Sequence, residues 1–65
     1  MIKSVIRCRN DMVIVFDEKG KQVFEYQGYY NDVREKILKN TRPDTQFSHE
    51  CEGEPDLIHI PREDW

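Results

Sequence analysis

Met12-Val13-Ile14-Val15-Phe16 is the longest unbroken apolar run in the chain, and it constrains everything around it. Five residues fall far short of the roughly 20 that a membrane-spanning helix needs. Bounded by polar turn signals and rich in Val and Ile, the run reads as a β-strand. Because it is apolar at every position instead of every second one, both of its faces need a cover.

The flanking residues predict a three-stranded antiparallel meander around that strand. Residues 2–9 carry Ile2, Val5 and Ile6, and the dipeptide Asn10-Asp11 supplies a two-residue hairpin turn, since both residue types tolerate positive φ. The second strand covers 12–16. After it, Asp17-Glu18-Lys19-Gly20-Lys21 is a tight polar turn in which Gly20 closes a bulged hairpin into a third strand over 22–26. Residues directly opposite each other in an antiparallel pair share a face. The two-residue turn therefore places Ile6, Cys8, Val13, Val15 and Val23 on one side. Val5, Met12, Ile14, Phe16, Phe24 and Tyr26 fall on the other, with Lys3, Arg7 and Arg9 along the first strand.

A helical pattern follows over 30–40, with Tyr29, Tyr30, Val33, Ile37 and Leu38 on one side. Asp32 and Glu35 have the spacing of a capping box, with a start at Tyr29 behind Gly28 as the alternative boundary. Asp32 to Lys36 and Glu35 to Lys39 are i,i+4 pairs with the acid placed first. Asn40 and Pro43 end the helix. Residues 45–51 alternate, with Phe47, His49 and Cys51 pointing one way, as in an edge strand covered on one side. Residues 57–60 form a short last strand stopped by Pro61. The fold class expected is a single α+β domain over 1–65: a small antiparallel sheet made of the meander and one or two C-terminal strands, plus one helix. The helix is expected over the Val/Cys face, and the C-terminal segment or a second copy over the aromatic face.

Size and composition narrow the function. At 65 residues, 37% hydrophobic and 35% charged, the chain is polar but not of disordered composition. A chain of about this size buries only about 60% of its unfolded surface, which leaves little core from which to hollow a small-molecule pocket. No Gly-rich phosphate loop, G-x-S-x-G or HExxH motif is present, and Glu50, Glu52, Glu54 and Asp56 read as a solvated acidic run. An enzyme is not expected, nor a cofactor or small-molecule substrate. The start, Met1-Ile2-Lys3-Ser4, lacks the apolar stretch of a secretory signal, so the expected compartment is the cytosol, with Cys8 and Cys51 as free thiols. The net charge of −3 divides unevenly: residues 1–42 carry +3 and residues 43–65 carry −6. A basic surface answered by acids of the same chain, or of a second copy, fits that division.

Three groups of residues invite a functional reading. Arg7, Phe16, Phe24 and Tyr26 combine aromatic rings with nearby cations, as single-stranded nucleic-acid binding sheets do. The acidic pI of about 5.3 argues instead that the aromatics are core or partner contacts. Cys8, His49, Cys51 and His59 have the composition of a tetrahedral zinc set, but their spacing matches no common zinc module, and small buried thiols with edge histidines explain them as well. Trp65 is expected to be ordered, folded back on a sheet face or inserted into a partner. A protein-interaction or homo-oligomerising module is the function these residues favour, with single-stranded nucleic-acid binding as the alternative.

Val13-Ile14-Val15-Phe16-Asp17-Glu18-Lys19-Gly20, Glu25-Tyr26-Gln27-Gly28 and Pro61-Arg62-Glu63-Asp64-Trp65 together resemble a family of short uncharacterised bacterial proteins of this length. The family has no assigned activity, so the resemblance implies no function.

Overall fold

The computed structural model describes residues 1–50 and 57–65. Strand β1 is Ile2–Arg7, β2 Met12–Asp17, β3 Gly28–Tyr29, β4 Thr41–Glu50 and β5 Leu57–Ile60, with one helix, α1, over Tyr30–Lys39. The strands form one sheet in the order β3-β2-β1-β4-β5. The α+β class holds, but the sheet is mixed and not purely antiparallel: β1 and β4 run parallel, and the other neighbouring pairs are antiparallel. The parallel pair requires a crossover, and α1 supplies it by carrying the chain from the β3 edge to β4 beyond β1. One helix thereby lies across the middle of one face.

The first hairpin corrects the expected register. Its loop has three residues, not two. The Cys8 N–H donates to the Met12 carbonyl (2.7 Å), the Asp11 N–H donates to the Cys8 carbonyl (3.0 Å), and Asp11 adopts φ 65°. A left-handed Asp closes a bulged turn where glycine is more usual. The single added residue shifts the pairing to Val5↔Val15, Ile6↔Ile14 and Arg7↔Val13. A one-residue slip exchanges the faces of a whole strand. Val5, not Ile6 and Cys8, therefore joins Val13 and Val15 beneath the helix. Strand β1 ends at Arg7 instead of residue 9.

The expected strand over 22–26 does not form. Gln22 makes an isolated bridge to Phe16, and Phe24–Tyr26 is a 3-10 turn. The outer edge of β2 is satisfied without a long third strand: the Val23 N–H donates to the Val15 carbonyl (2.8 Å), and the Gln27 side-chain carbonyl accepts the Val15 N–H (3.0 Å). Val23 and Tyr26, three apart, pack on the core, while Phe24 between them is 74% exposed. Three-residue spacing is that of a 3-10 turn and not of a strand.

Helix α1 ends at Lys39, one residue short of expectation, with Asn40 as its C-cap. It starts at Tyr30, as the expected range has it, and not at Tyr29 behind Gly28; Tyr29 is the N-cap, Asp32 lies inside the first turn instead of capping it, and no side chain caps the end. Tyr29 itself is not on the buried side but 61% exposed. Lys36 donates to the Glu25 carbonyl (2.7 Å) instead of pairing with Asp32. The buried face is Val33 and Ile37, with Tyr30 and Leu38 partly buried beside them.

Strand β4 begins at Thr41, not residue 45, and lies between β1 and β5 instead of at an edge. Its pairing with β1 jumps from Ile2↔Thr41 to Ser4↔Gln46, so residues 42–45 bulge outward. Thr45 closes the bulge, its hydroxyl donating to the Ile2 carbonyl (2.9 Å) and accepting the Arg42 N–H (3.0 Å). Pro43 is accommodated there because a bulged position needs no ladder donor.

The core comprises Ile2, Val5, Val13, Val15, Val33, Ile37, Phe47 and Trp65, all on the helix side. After Pro61 the chain makes a 3-10 turn, Arg62–Asp64, and returns Trp65 to that core, where it is 4% exposed. The indole N–H donates to the Ser48 carbonyl (3.2 Å), and the ring packs 5.1 Å from the centroids of both Phe47 and Tyr30. The C-terminal segment thus covers the same face as the helix, contrary to the expectation that it would cover the other. No helix among the described residues is long and apolar enough to cross a membrane.

Candidate functional site

The corrected register defines a second face on the side away from α1. Directly opposite residues share a face, so Ile6 sits with Ile14 and Ser48, Ser48 with His59, Ser4 with Phe16 and Gln46, and Met12 with Tyr29. Met12, Ile14 and Phe16 make an apolar row along β2, continued by Ile6 at the centre and by Tyr29 at the β3 edge. None of the five belongs to the core cluster or packs against it. The helix, the Val23 and Tyr26 side chains and the Trp65 tail all pack on the opposite side. Among the described residues, no element lies over this face.

Polar groups on the face gather on its β4–β5 side, as Gln46, Ser48, Glu50 and His59, with Ser4 on β1. Ser48 is buried, and its hydroxyl lies 3.2 Å from His59 Nδ1 across the β4–β5 pair. Charges stand at the margins and are already paired: Lys3 with Asp44 at 3.1 Å and Arg9 with Glu50 at 3.1 Å. Both pairs join a cation of the basic N-terminal part to an acid more than 40 residues later, as the uneven charge distribution anticipates. Hydrogen bonding from Lys3, reinforced by its charge, holds the Asp44 carboxyl below its ordinary pKa. The Asp17 carboxyl is lowered chiefly by the Lys21 backbone N–H in the β2 turn. Cys8, a free thiol beside the Arg9–Glu50 pair, is pushed up by burial first and by the Glu50 charge and hydrogen bond second.

The five residues proposed from sequence for binding do not converge. Arg7 is on the helix side, its guanidinium 3.7 Å above the Tyr30 ring and 2.7 Å from Asp11. Tyr26 packs against the core, with the Lys36 ammonium 5.1 Å from its ring. Phe24 projects from the 3-10 turn, and Trp65 is core. Of the five, only Phe16 lies on the open face. The histidines of the supposed zinc set are likewise divided, since His49 shares the helix-side face with Phe47 while His59 stands with Ser48. Cys51 lies outside the described residues. Among the described residues, no three His, Cys, Asp or Glu side chains gather as a metal site.

Two features escaped sequence reasoning. Tyr30 donates its hydroxyl to the Trp65 main-chain oxygen, and Arg34 Nε donates both to that hydroxyl (3.0 Å) and toward the same oxygen (3.4 Å). This clamp seats the tail, and its only sequence signal is the i,i+4 spacing of Tyr30 and Arg34. The second feature is Tyr29 beside Met12, placed there by the two-residue pairing of β3 with β2. An open groove of about 610 Å³ runs between the β4 bulge and the end of β5, lined by Pro43, Gln46, Phe47, His59, Arg62 and Glu63 among others. Arg62 is occupied there by the Leu38 carbonyl (2.6 Å).

No family model, curated protein or solved structure matches the chain.

Proposed function

We propose that the chain is a cytosolic protein-interaction module that works through the helix-free face of its sheet. The observation that carries this reading is the row Met12, Ile14 and Phe16, with Ile6 beside it, on a sheet face that no described element covers. Ile6, Met12, Ile14 and Phe16 are each only partly buried and lie side by side, and contiguous apolar side chains left open to solvent mark an interaction site more often than scattered ones do. Nucleic acid fits the geometry less well, because stacking on single strands needs rings and available cations on one surface. Here Arg7 is engaged by Tyr30 and Asp11 on the other side, and Arg9 and Lys3 are paired at the margin. A catalytic role has no support in the open groove, whose Arg62 is committed to the helix end. The proposed role needs neither a metal nor a cofactor.

Photo-crosslinking in cells tests it. A benzophenone amino acid placed at Tyr29, on the rim of the face, is expected to give protein adducts that disappear with Ile14→Lys. The same group at the exposed Lys39 on the helix is expected to give none above background. Equal adducts from both positions, or adducts with nucleic acid in place of protein, would overturn the reading.

A further inference from the structure

We infer that Tyr30 and Arg34 form a carboxylate-binding site on the helix side of the molecule, and that its ligand is an α-carboxylate carried by Trp65. The pair selects that group over a peptide carbonyl at the same position, and so latches the tail. The site lies on the covered face and is independent of the interaction role proposed for the open one.

The first argument is charge. Lys3, Arg7 and Arg9 each have a carboxylate, at 3.1, 2.7 and 3.1 Å. Arg34 is partly buried one turn along α1 from Tyr30, and among the described residues it forms no ion pair. Its acceptors are the Tyr30 hydroxyl oxygen (3.0 Å) and the Trp65 main-chain oxygen (3.4 Å). A cation taken partly out of water without a counter-ion is costly. A second guanidinium, that of Arg7, lies 3.7 Å above the Tyr30 ring, but Asp11 neutralises it. The charge left unanswered beside Tyr30 is that of Arg34, and an anion at the Trp65 oxygen answers it.

The second argument is the direction of the donors. The Tyr30 hydroxyl donates to the same Trp65 oxygen on which Arg34 Nε converges. A guanidinium presents Nε–H and Nη–H in one plane, a fork that matches the two oxygens of a carboxylate and that a single carbonyl oxygen fills on one side only. The rest of the tail holds the ligand in place: the indole N–H donates to the Ser48 carbonyl (3.2 Å), the ring packs on Phe47 and Tyr30, and Arg62 donates to the Leu38 carbonyl (2.6 Å). Because packing has already ordered the residue, bonds to its carboxylate add stability with little further loss of freedom. Capping or extending residue 65 turns the carboxylate into an amide, which accepts hydrogen bonds about half as strong. The tail then sits more loosely between Tyr30 and Phe47.

Total chemical synthesis of the 65-residue chain, once as the free acid and once as the Trp65 amide, provides the test. At neutral pH and low salt the acid is expected to melt about 5–10 °C above the amide. Between the acid and the amide of Arg34→Ala the gap is expected to close to under about 2 °C, because the partner of the carboxylate is gone. Equal melting of the two forms of the unsubstituted chain would overturn the inference, as would a gap that keeps more than half its size in Arg34→Ala. The Arg34 Nε–H resonance of the unsubstituted chain gives a readout that needs no variant to fold. It should lie further downfield in the acid than in the amide, and the same position in both would overturn the assignment.

Discussion

The two faces of this sheet are built from alternate residues of the same strands, and their neighbours in sequence have opposite fates. Val5 is fully buried while Ile6 is only partly so; Val13 and Val15 are buried while Ile14 between them is partly open. Hydrophobicity does not separate the two sets, since Ile is as apolar as Val. What separates them is the covering elements: one crossover helix, a 3-10 turn and a C-terminal Trp all fall on one side. A chain of this length has one helix to spend, and topology decides which face receives it.

Trp65 gives the largest expected contrast, because it joins the tail to the covered face. Trp65→Ala removes the ring that Phe47 and Tyr30 pack against and the indole donor to Ser48. It is expected to cost about 3–5 kcal/mol in urea unfolding followed by circular dichroism. In a domain whose whole stability is of order 5 kcal/mol, that leaves the chain partly unfolded in water. A loss under about 1 kcal/mol would mean that the tail is not part of the core.

A finer contrast compares sequence neighbours on β1. Val5→Thr buries a hydroxyl beneath the helix and is expected to cost about 1–3 kcal/mol. Ile6→Thr, on the open face, is expected to cost under about 1 kcal/mol when measured in dilute solution. Equal costs would show that both faces are covered in the single chain and would remove the basis of the proposed interface.

The same contrast explains what the amino-acid order reveals and what it conceals. Helix α1 and strand β5 are legible within a residue, because Tyr30, Val33 and Ile37 keep helical spacing and Pro61 ends a short apolar run. That both sides of β2 are apolar is also legible. Which side of β1 joins which side of β2 is not, because it depends on a single backbone angle at Asp11. A two-residue and a three-residue loop have nearly the same composition, yet the first puts Cys8 beside Val13 on the helix side and the second puts Arg7 there. The supposed cluster of Arg7, Phe16, Phe24 and Tyr26 followed from that one choice and from reading 22–26 as a strand. The parallel pairing of β4 with β1 is hidden for a different reason: it is set by where the crossover lands, and local periodicity in 45–51 is the same in an edge strand and an interior one.

Cys8 offers the smallest effect and the most local one. It sits at the hairpin end of β1 beside Glu50, where burial, and then the carboxylate, raise its thiol pKa above the ordinary 9.0. A folded-state pKa above the unfolded one means that the native chain holds the proton more tightly. The contribution to stability is then complete below the unfolded value and lost as pH rises through the folded one. Stability is therefore expected to decline above about pH 9, more steeply than in Cys8→Ser. The nucleophile is the thiolate, so at pH 8 alkylation of Cys8, followed by mass spectrometry of its own peptide, should be slower than that of a cysteine in a short unstructured peptide. Glu50→Gln removes the smaller cause and keeps the larger, so it should recover only part of the rate. Full recovery would mean that the Glu50 carboxylate, not burial, governs the thiol.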